Sequence, residues 1–405
     1  MKTYKYNIKW MFLSFICLLG CVEEFIPENI TFEDLLVVEA SLTNEIKYHE
    51  IKLSRTFQLS EDPVVENQAN VRVIDDIQNE YIFNETKQGT YISANEFAVV
   101  PERTYILKIV TKNNKTYSSS PVKPPSNSAQ ITDVSFINDS NSDGIEGISI
   151  LVDSFDPYGN SEYYRYDFEE TQRIVAPFYA ALDMVIISDT PPFKVELERR
   201  TEEKRTCYKT TISKSQIVQT QTKFLGADRV TKFPVKFLAK TDSILRDRYS
   251  ILVKQYVQNF EAYTYFQNLN DFSSSENVFS ENQPGFIESN IISDTNPNEK
   301  VLGFFEINAV SEKRLFIDYK EAFPNENNLP YFSGCTTFSP YLTDPENVNS
   351  SPLIDLIKQD AIRFWMANED FFGNPIENPP YTVVNRACGD CTFYGTTIKP
   401  DFWID

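Results

Sequence analysis

The six cysteines carry most of the chemistry open to this chain. Cys21 closes the run Leu18-Leu19-Gly20-Cys21. A thiol placed after a small residue at the end of an apolar run is an acceptor for diacylglycerol, and cleavage before it frees an amine for a further acyl chain. Each buried CH₂ adds about 0.8 kcal/mol, so two or three chains make a permanent anchor. Cys207, Cys335, Cys388 and Cys391 form an even set in an exported chain, which points to disulfides. Four cysteines allow three connectivities, and all three stay open. The spacing Cys388-Gly389-Asp390-Cys391 could also be a redox dithiol or half of a metal site. Such a dithiol follows a strand and opens a helix, whereas this one sits in a Thr/Gly-rich, β-like tail, so a structural staple is expected.

The other candidates have bland counterparts. His49 is the only histidine, so a Ser-His-Asp triad would need it and a two-histidine zinc site is excluded. At the start of a strand it reads as an exposed residue. Paired carboxylates could run a glycosidase without histidine, but no pair stands out among 58 acids, and no catalytic residue is assigned. Asp139-Ser140-Asn141-Ser142-Asp143-Gly144 copies the opening of a calcium loop, with oxygens at alternate places and glycine at the turn. The place of the bidentate glutamate is Ile150, and a strand follows. Asp139, Asn141 and Asp143 therefore read as a polar hairpin before a calcium site, and neither metal nor cofactor is expected. Tyr163, Tyr164 and Tyr166, with Tyr256, Tyr263 and Tyr265, could stack on a sugar or peptide, but alternation explains most of them as strand and core packing.

The ends and the charge narrow the address. Lys2, Lys5 and Lys9 precede an apolar run from Trp10 to Leu19, too short for the roughly 20 residues that span a bilayer, so residues 1–20 read as a processed lipoprotein signal peptide. The net charge is −20, and losing the leader makes it more negative by taking away lysines and no acid. Such a surface repels phosphate backbones, which argues against nucleic acid as a partner. With 41% hydrophobic and 14% aromatic residues the chain can build a core. No Gly-rich phosphate loop or dinucleotide fingerprint is present.

The expected fold is mainly β. After a tether at 21–33, period-two runs at 35–40, 50–57, 69–74, 80–84, 90–93, 105–111 and 115–119 predict an immunoglobulin- or fibronectin-like sandwich over 34–122. Asn113-Asn114 suits a hairpin turn because asparagine tolerates positive φ. Pro121, Pro124 and Pro125 mark a boundary. A larger β-rich domain over 128–405 follows, with strands at 131–137, 148–154, 163–169, 249–257, 301–307 and 314–317 and an irregular segment from Ile174 to Lys204. Asn259 can cap a helix carrying Ala262, Tyr263, Phe266 and Leu269. A second helix from Ser351-Pro352 or a strand at Ile362–Met366 fits the later periodicity.

The order of several short motifs carries a resemblance. These are Leu36-Val37-Val38-Glu39-Ala40, Leu53-Ser54-Arg55, Gly89-Thr90-Tyr91, Thr104-Tyr105 and Thr116-Tyr117-Ser118-Ser119 in the first half. Asp156-Pro157, Tyr163-Tyr164-Arg165, Glu261-Ala262-Tyr263, Val301-Leu302-Gly303-Phe304-Phe305, Lys313-Arg314, Cys388-Gly389-Asp390-Cys391 and Lys399-Pro400-Asp401-Phe402-Trp403 follow. Together they resemble, over nearly the whole mature chain, the Bacteroidota outer-membrane lipoproteins grouped as domain of unknown function 4249. Ala40 stands where that family usually has glycine, and Gly395-Thr396 where it has two glycines. The resemblance implies an outer-membrane, lipid-anchored protein whose partner is a TonB-dependent transporter with a carboxypeptidase regulatory-like domain. Glu23 and Glu24 resemble the acidic signal that sends such lipoproteins to the cell exterior. The function expected from this is a non-catalytic accessory subunit in nutrient uptake, with a free-standing surface binding or adhesion module as the alternative.

Overall fold

The structure, a computed structural model, describes residues 33–57, 63–125, 129–213, 217–274, 287–332 and 334–405. The signal peptide expected at residues 1–20, the expected acylation site Cys21, and Glu23 and Glu24 lie outside the described residues.

Alternation places the first strands where period two predicts them: β1 (Leu36–Thr43), β2 (Glu50–Arg55), β3 (Asn70–Asp75), β4 (Glu80–Lys87), β5 (Thr90–Ser93), β6 (Tyr105–Val110) and β7 (Thr116–Ser119). Leu36, Val38, Ala40 and Leu42 all point inward from β1. Asn114 takes φ 59° in the turn after β6, the left-handed conformation that asparagine tolerates. The chain continues through β8 (Gln130–Ser140), β9 (Glu146–Phe155), β10 (Tyr163–Val175), β11 (Leu182–Ser188), β12 (Lys194–Arg199), β13 (Thr206–Ile212) and β14 (Val218–Gln221). Then come β15 (Arg229–Ala239), β16 (Arg248–Gln258), β17 (Ile291–Ser293), β18 (Val301–Ile317), β19 (Thr337–Phe338), β20 (Ile362–Ala367) and β21 (Tyr381–Asn385).

The protein is mainly β, as expected, and β18 is its spine. Its first half pairs in parallel with β1, from Leu36 opposite Val301 to Thr43 opposite Asn308. Its second half pairs antiparallel with β16, from Val257 opposite Ala309 to Tyr249 opposite Ile317. One 13-stranded sheet therefore runs through both halves of the molecule.

The first sandwich begins in the segment 34–122 but is completed from far downstream. β17 pairs with β7, and the Asn290 amide donates to the Phe305 carbonyl at 2.8 Å and accepts from the Phe305 N–H at 2.9 Å. Ile291, Val301, Phe305 and Ile307 enter the same core as Leu53, Val73, Tyr105 and Tyr117. The physical reason is edge pairing: seven strands alone would leave the outer sides of β1 and β7 as bare ladders. Gly303 permits the join. It has φ +95°, and a Cβ there would lie 1.9 Å from the Val38 carbonyl oxygen.

The second sandwich packs the sheet β15-β9-β8 on β10, β16 and the end of β18, with Ile150, Val152 and Leu238 facing Tyr166, Ile251 and Val253. The segment Ile174–Lys204, expected to be irregular, contains the β11–β12 hairpin. This hairpin shares a small core, including Val195, Leu353, Ile354 and Val383, with a C-terminal module. The two readings of 351–366 are both realised in succession. Ser351 Oγ accepts from the Ile354 N–H and caps the helix Pro352–Lys358, and β20 follows.

His49, expected at an exposed site, is 1% exposed. Its backbone leads into β2, but the ring turns into the first core, 4.5 Å from the Phe97 ring, and Nε2 donates to the Phe97 carbonyl at 2.9 Å. Burial holds its pKa below the ordinary value. Because the folded pKa lies below the unfolded one, near 6.5, the unfolded chain takes up the proton first. Stability from this group is complete above about pH 6.5 and is lost as pH falls from there through the folded pKa. Thermal unfolding of wild type between pH 7.5 and 5 should show a decline that is flattened in His49→Gln. Parallel curves for the two proteins would sink this assignment.

Candidate functional site

The two sandwiches meet where β10 starts, β16 ends and β18 crosses between cores, with Tyr163 opposite Gln258 and Val257 opposite Ala309. Both faces of these strands are covered there: Tyr163–Tyr166 of β10 and Phe304–Ala309 of β18 are buried at every position, and Arg165 and Glu306 are buried with them. The Arg165 guanidinium donates to Glu306 Oε1 at 2.9 Å, and the Gln258 amide donates to Glu306 Oε2 at 3.0 Å. Tyr256 and Phe266 cover the guanidinium, their ring centres 4.9 and 4.3 Å away. Burial opposes the Arg165 charge, but the Glu306 carboxylate prevails and raises its pKa. Burial pushes the neighbouring Asp167 carboxyl up against the pull of Arg165.

The helix Phe260–Ser274 lies over this pair. It starts where the sequence predicts, with Asn259 Oδ1 accepting the Ala262 N–H at 2.8 Å. Phe266 reaches Arg165, and Tyr265 stacks on Phe304 of β18 at 4.8 Å. One helix is thus fastened to strands serving both cores.

Outside the ion pair, a second polar knot holds two loops. Asp228 accepts from the Ser161 N–H at 2.9 Å and the Thr222 hydroxyl at 2.5 Å, and its other contact is the Tyr164 hydroxyl at 2.6 Å. Burial raises the Tyr164 pKa. The Lys223 ammonium donates to the Tyr163 hydroxyl at 2.9 Å and lies 5.4 Å from the Phe260 ring centre. These fixed loops and the helix start expose Tyr158, Phe224, Leu225 and Phe260, with Phe224 84% exposed. These large apolar side chains stand in solvent on loops that buried hydrogen bonds hold in place.

The tyrosines singled out in the sequence occupy this region but face inward. Tyr163, Tyr164, Tyr166 and Tyr263 are buried, and Tyr256 and Tyr265 are half-buried against Arg165 and Phe304. The exposed neighbours Phe224 and Phe260 were not singled out. Their signal was local: Phe224-Leu225 is an apolar pair inside a polar loop, and Phe260 sits at a helix N-terminus where it cannot join the buried stripe. Arg165 and Glu306 were invisible as a pair because 141 positions separate them.

The remaining candidates fall elsewhere. Cys207 is bonded to Cys391 and Cys335 to Cys388, so the two halves of Cys388-Gly389-Asp390-Cys391 join different partners. That segment, expected as β-like, is a short helical turn followed by a 3₁₀ turn. Its Asp390 carboxylate accepts from Arg363 at 3.0 Å and caps the second turn through the Thr392 N–H. Asp139 and Asn141 use their oxygens within the β8–β9 hairpin. Asp139 accepts from the Ser149 hydroxyl, and Asn141 Oδ1 from the N–H groups of Asp143 and Ile145. Gly144, at φ +76°, completes the turn. Among the described residues no group of His, Cys, Asp and Glu is arranged to hold a metal ion. A cleft beside β11 and β20 is lined by Asp183, Lys204, Asp360 and Arg363, and Arg363 is paired with Asp360 at 2.7 Å.

Comparison with curated proteins finds no match. Among solved structures, a DUF4785 family protein from Legionella pneumophila is similar at 8% identity and a TM-score of 0.18, over 54% of this chain and 51% of that one. The chain thus spans about half the length of that structure, and the likeness is too slight to carry an argument. A family described as "Domain of unknown function (DUF4249)" matches residues 22–314. The match takes in the first sandwich, most of the second and the Arg165–Glu306 pair and ends within β18, short of Ile317, Cys335, Cys388, Cys391 and the closing Phe402-Trp403. By that match, which covers most of the chain, the protein belongs to the DUF4249 family.

Proposed function

We propose that this protein is a lipid-anchored, non-catalytic accessory subunit that works while docked on a TonB-dependent transporter of a Bacteroidota outer membrane, facing the cell exterior. The observation that carries the reading is the exposed set Tyr158, Phe224, Leu225 and Phe260, built on loops that Asp228 fixes from beneath. A rigid apolar surface binds a protein partner without first losing loop entropy. The Cys21 anchor supports the same reading, since confinement to the membrane plane raises effective concentration near any membrane partner. The only histidine is held inside the first core, which favours binding over histidine-based chemistry.

Mild-detergent purification of the tagged protein from outer membranes should bring down a transporter in near-equal amount. Phe224→Ser with Phe260→Ser should weaken that association on the order of tenfold or more. Cys21→Ser should abolish membrane retention. Elution alone under conditions that preserve other outer-membrane complexes, with uptake unchanged on deletion, would defeat the transporter reading and leave the adhesion module. A Cys21→Ser protein that still fractionates with membranes would defeat the anchor.

A further inference from the structure

The loop joining β20 to β21 shows two phenylalanines to solvent at its tip, Phe371 at 97% and Phe372 at 84% exposure. Adjacent aromatics this bare are unusual on a folded surface, where isolated exposed apolar residues need no explanation but paired large ones do. The tip is a built structure. Asp370 Oδ1 accepts from the Phe372 N–H at 2.8 Å and the Asn374 N–H at 2.9 Å, and the Asp370 carbonyl accepts from the Gly373 N–H at 3.0 Å. The Asp370 N–H donates back to the Asn374 carbonyl at 2.8 Å, and below it Ile376 N–H donates to Asn368 O at 2.9 Å. Gly373 turns the chain at φ +81°. The two rings stand edge to face, 5.5 Å apart. These bonds hold the rings apart from the rest of the protein.

We infer that Phe371 and Phe372 form a protein-docking finger that inserts into an apolar pocket rimmed by Lys and Arg side chains on a partner protein. Charge selects that partner. Glu369, Asp370 and Glu377 flank the rings, and no Lys or Arg occurs between Arg363 and Arg386. An acidic collar is repelled by anionic headgroups, whereas lipid-inserting aromatics are accompanied by basic residues. The inference goes beyond the transporter reading, because it names the pocket's chemistry and not the partner's class.

The test uses the full lipidated protein in the cells that make it, with p-benzoylphenylalanine at position 372 and, as control, at the exposed position 46 of the first sandwich. The expected result is one protein adduct specific to position 372, whose cross-linked peptide is apolar and bordered by Lys or Arg. With that protein purified, Phe371→Ser together with Phe372→Ser should weaken binding on the order of tenfold to a hundredfold with an unchanged melting temperature. Added salt should weaken the wild-type complex as well. Phe372→Trp should show no emission shift with vesicles of zwitterionic or anionic phospholipid. A vesicle-induced blue shift, adducts to lipid or to a second copy, labelling equal to the control, or a pocket without basic residues would each overturn the finger. A partner that has the basic-rimmed pocket but is no transporter would confirm the finger and leave the transporter reading to its own test at Phe224 and Phe260.

Discussion

Replacing Glu306 by alanine should destabilise the protein by about 3–5 kcal/mol, the range for breaking a buried pair from one side. The size follows from what remains. Arg165 would keep its charge with its guanidinium held between Tyr256 and Phe266, and the Gln258 amide would lose its acceptor. Removing both charges at once should cost much less. Arg165→Met with Glu306→Leu removes both members of the pair and keeps comparable volume, though the Gln258 amide loses its acceptor and Asp167 the nearby charge, so it should cost about 2 kcal/mol. Glu306→Gln should lie between, since an amide can still accept from Gln258 but offers no charge to Arg165. Urea unfolding followed by two probes, one in each sandwich, measures all three. Because Glu306 stands on the strand that serves both cores, both probes should shift together. A loss under about 1 kcal/mol for Glu306→Ala, or a shift confined to one sandwich, would show that the pair does not join the halves.

The parts of this fold that could be read from residue order are those governed by local rules. β1 to β7 follow apolar alternation, the Asn114 turn follows from positive φ, and the helix after Asn259 follows from its cap. Each depends on neighbours a few positions away. The unread parts depend on distance. Nothing near residues 116–119 announces that Ile291–Ser293 will pair with them, and nothing near Leu36 points to Val301 except the glycine at 303. β15 was missed for a local reason: Pro234 interrupts it, Lys232 sits at φ 48°, and its register with β9 shifts at two places, so no strict period survives. His49 was misplaced because strand alternation cannot say which face a lone polar residue takes when a carbonyl waits inside to receive its N–H. The candidate site divides in the same way. Its tyrosines were visible as a cluster, whereas the Arg165–Glu306 pair beneath them required the fold.

The largest effect outside the core should come from the cysteines. Cys207–Cys391 closes 184 residues and Cys335–Cys388 closes 53. On the chain-entropy account, such loops contribute roughly 5 and 4 kcal/mol by restricting the unfolded chain, with measured values commonly lower. The segment they hold has little else. Its core with the β11–β12 hairpin rests on Val195, Leu353, Ile354, Ile362 and Val383, and a core that small seldom stabilises a module by itself. The two sandwiches have far larger clusters and contain only Cys207, on β13. Reduction should therefore release the C-terminal module first. Protease under reducing conditions should cut between about residues 330 and 400 and in the β11–β12 hairpin, which loses its packing partner, while the two sandwich cores survive, and without reductant all should resist. Unfolding without reductant should expose no free thiol from Cys207, Cys335, Cys388 or Cys391. The paired replacement Cys207→Ser with Cys391→Ser should loosen more than Cys335→Ser with Cys388→Ser. Trp403 is edge-on to Tyr208 at 5.0 Å beside this bridge, so losing it frees the closing Phe402-Trp403 segment as well. Indifference of the protease pattern to reductant would mean that packing alone holds the module, and two alkylatable thiols in the unreduced protein would restore the redox reading of Cys388 and Cys391.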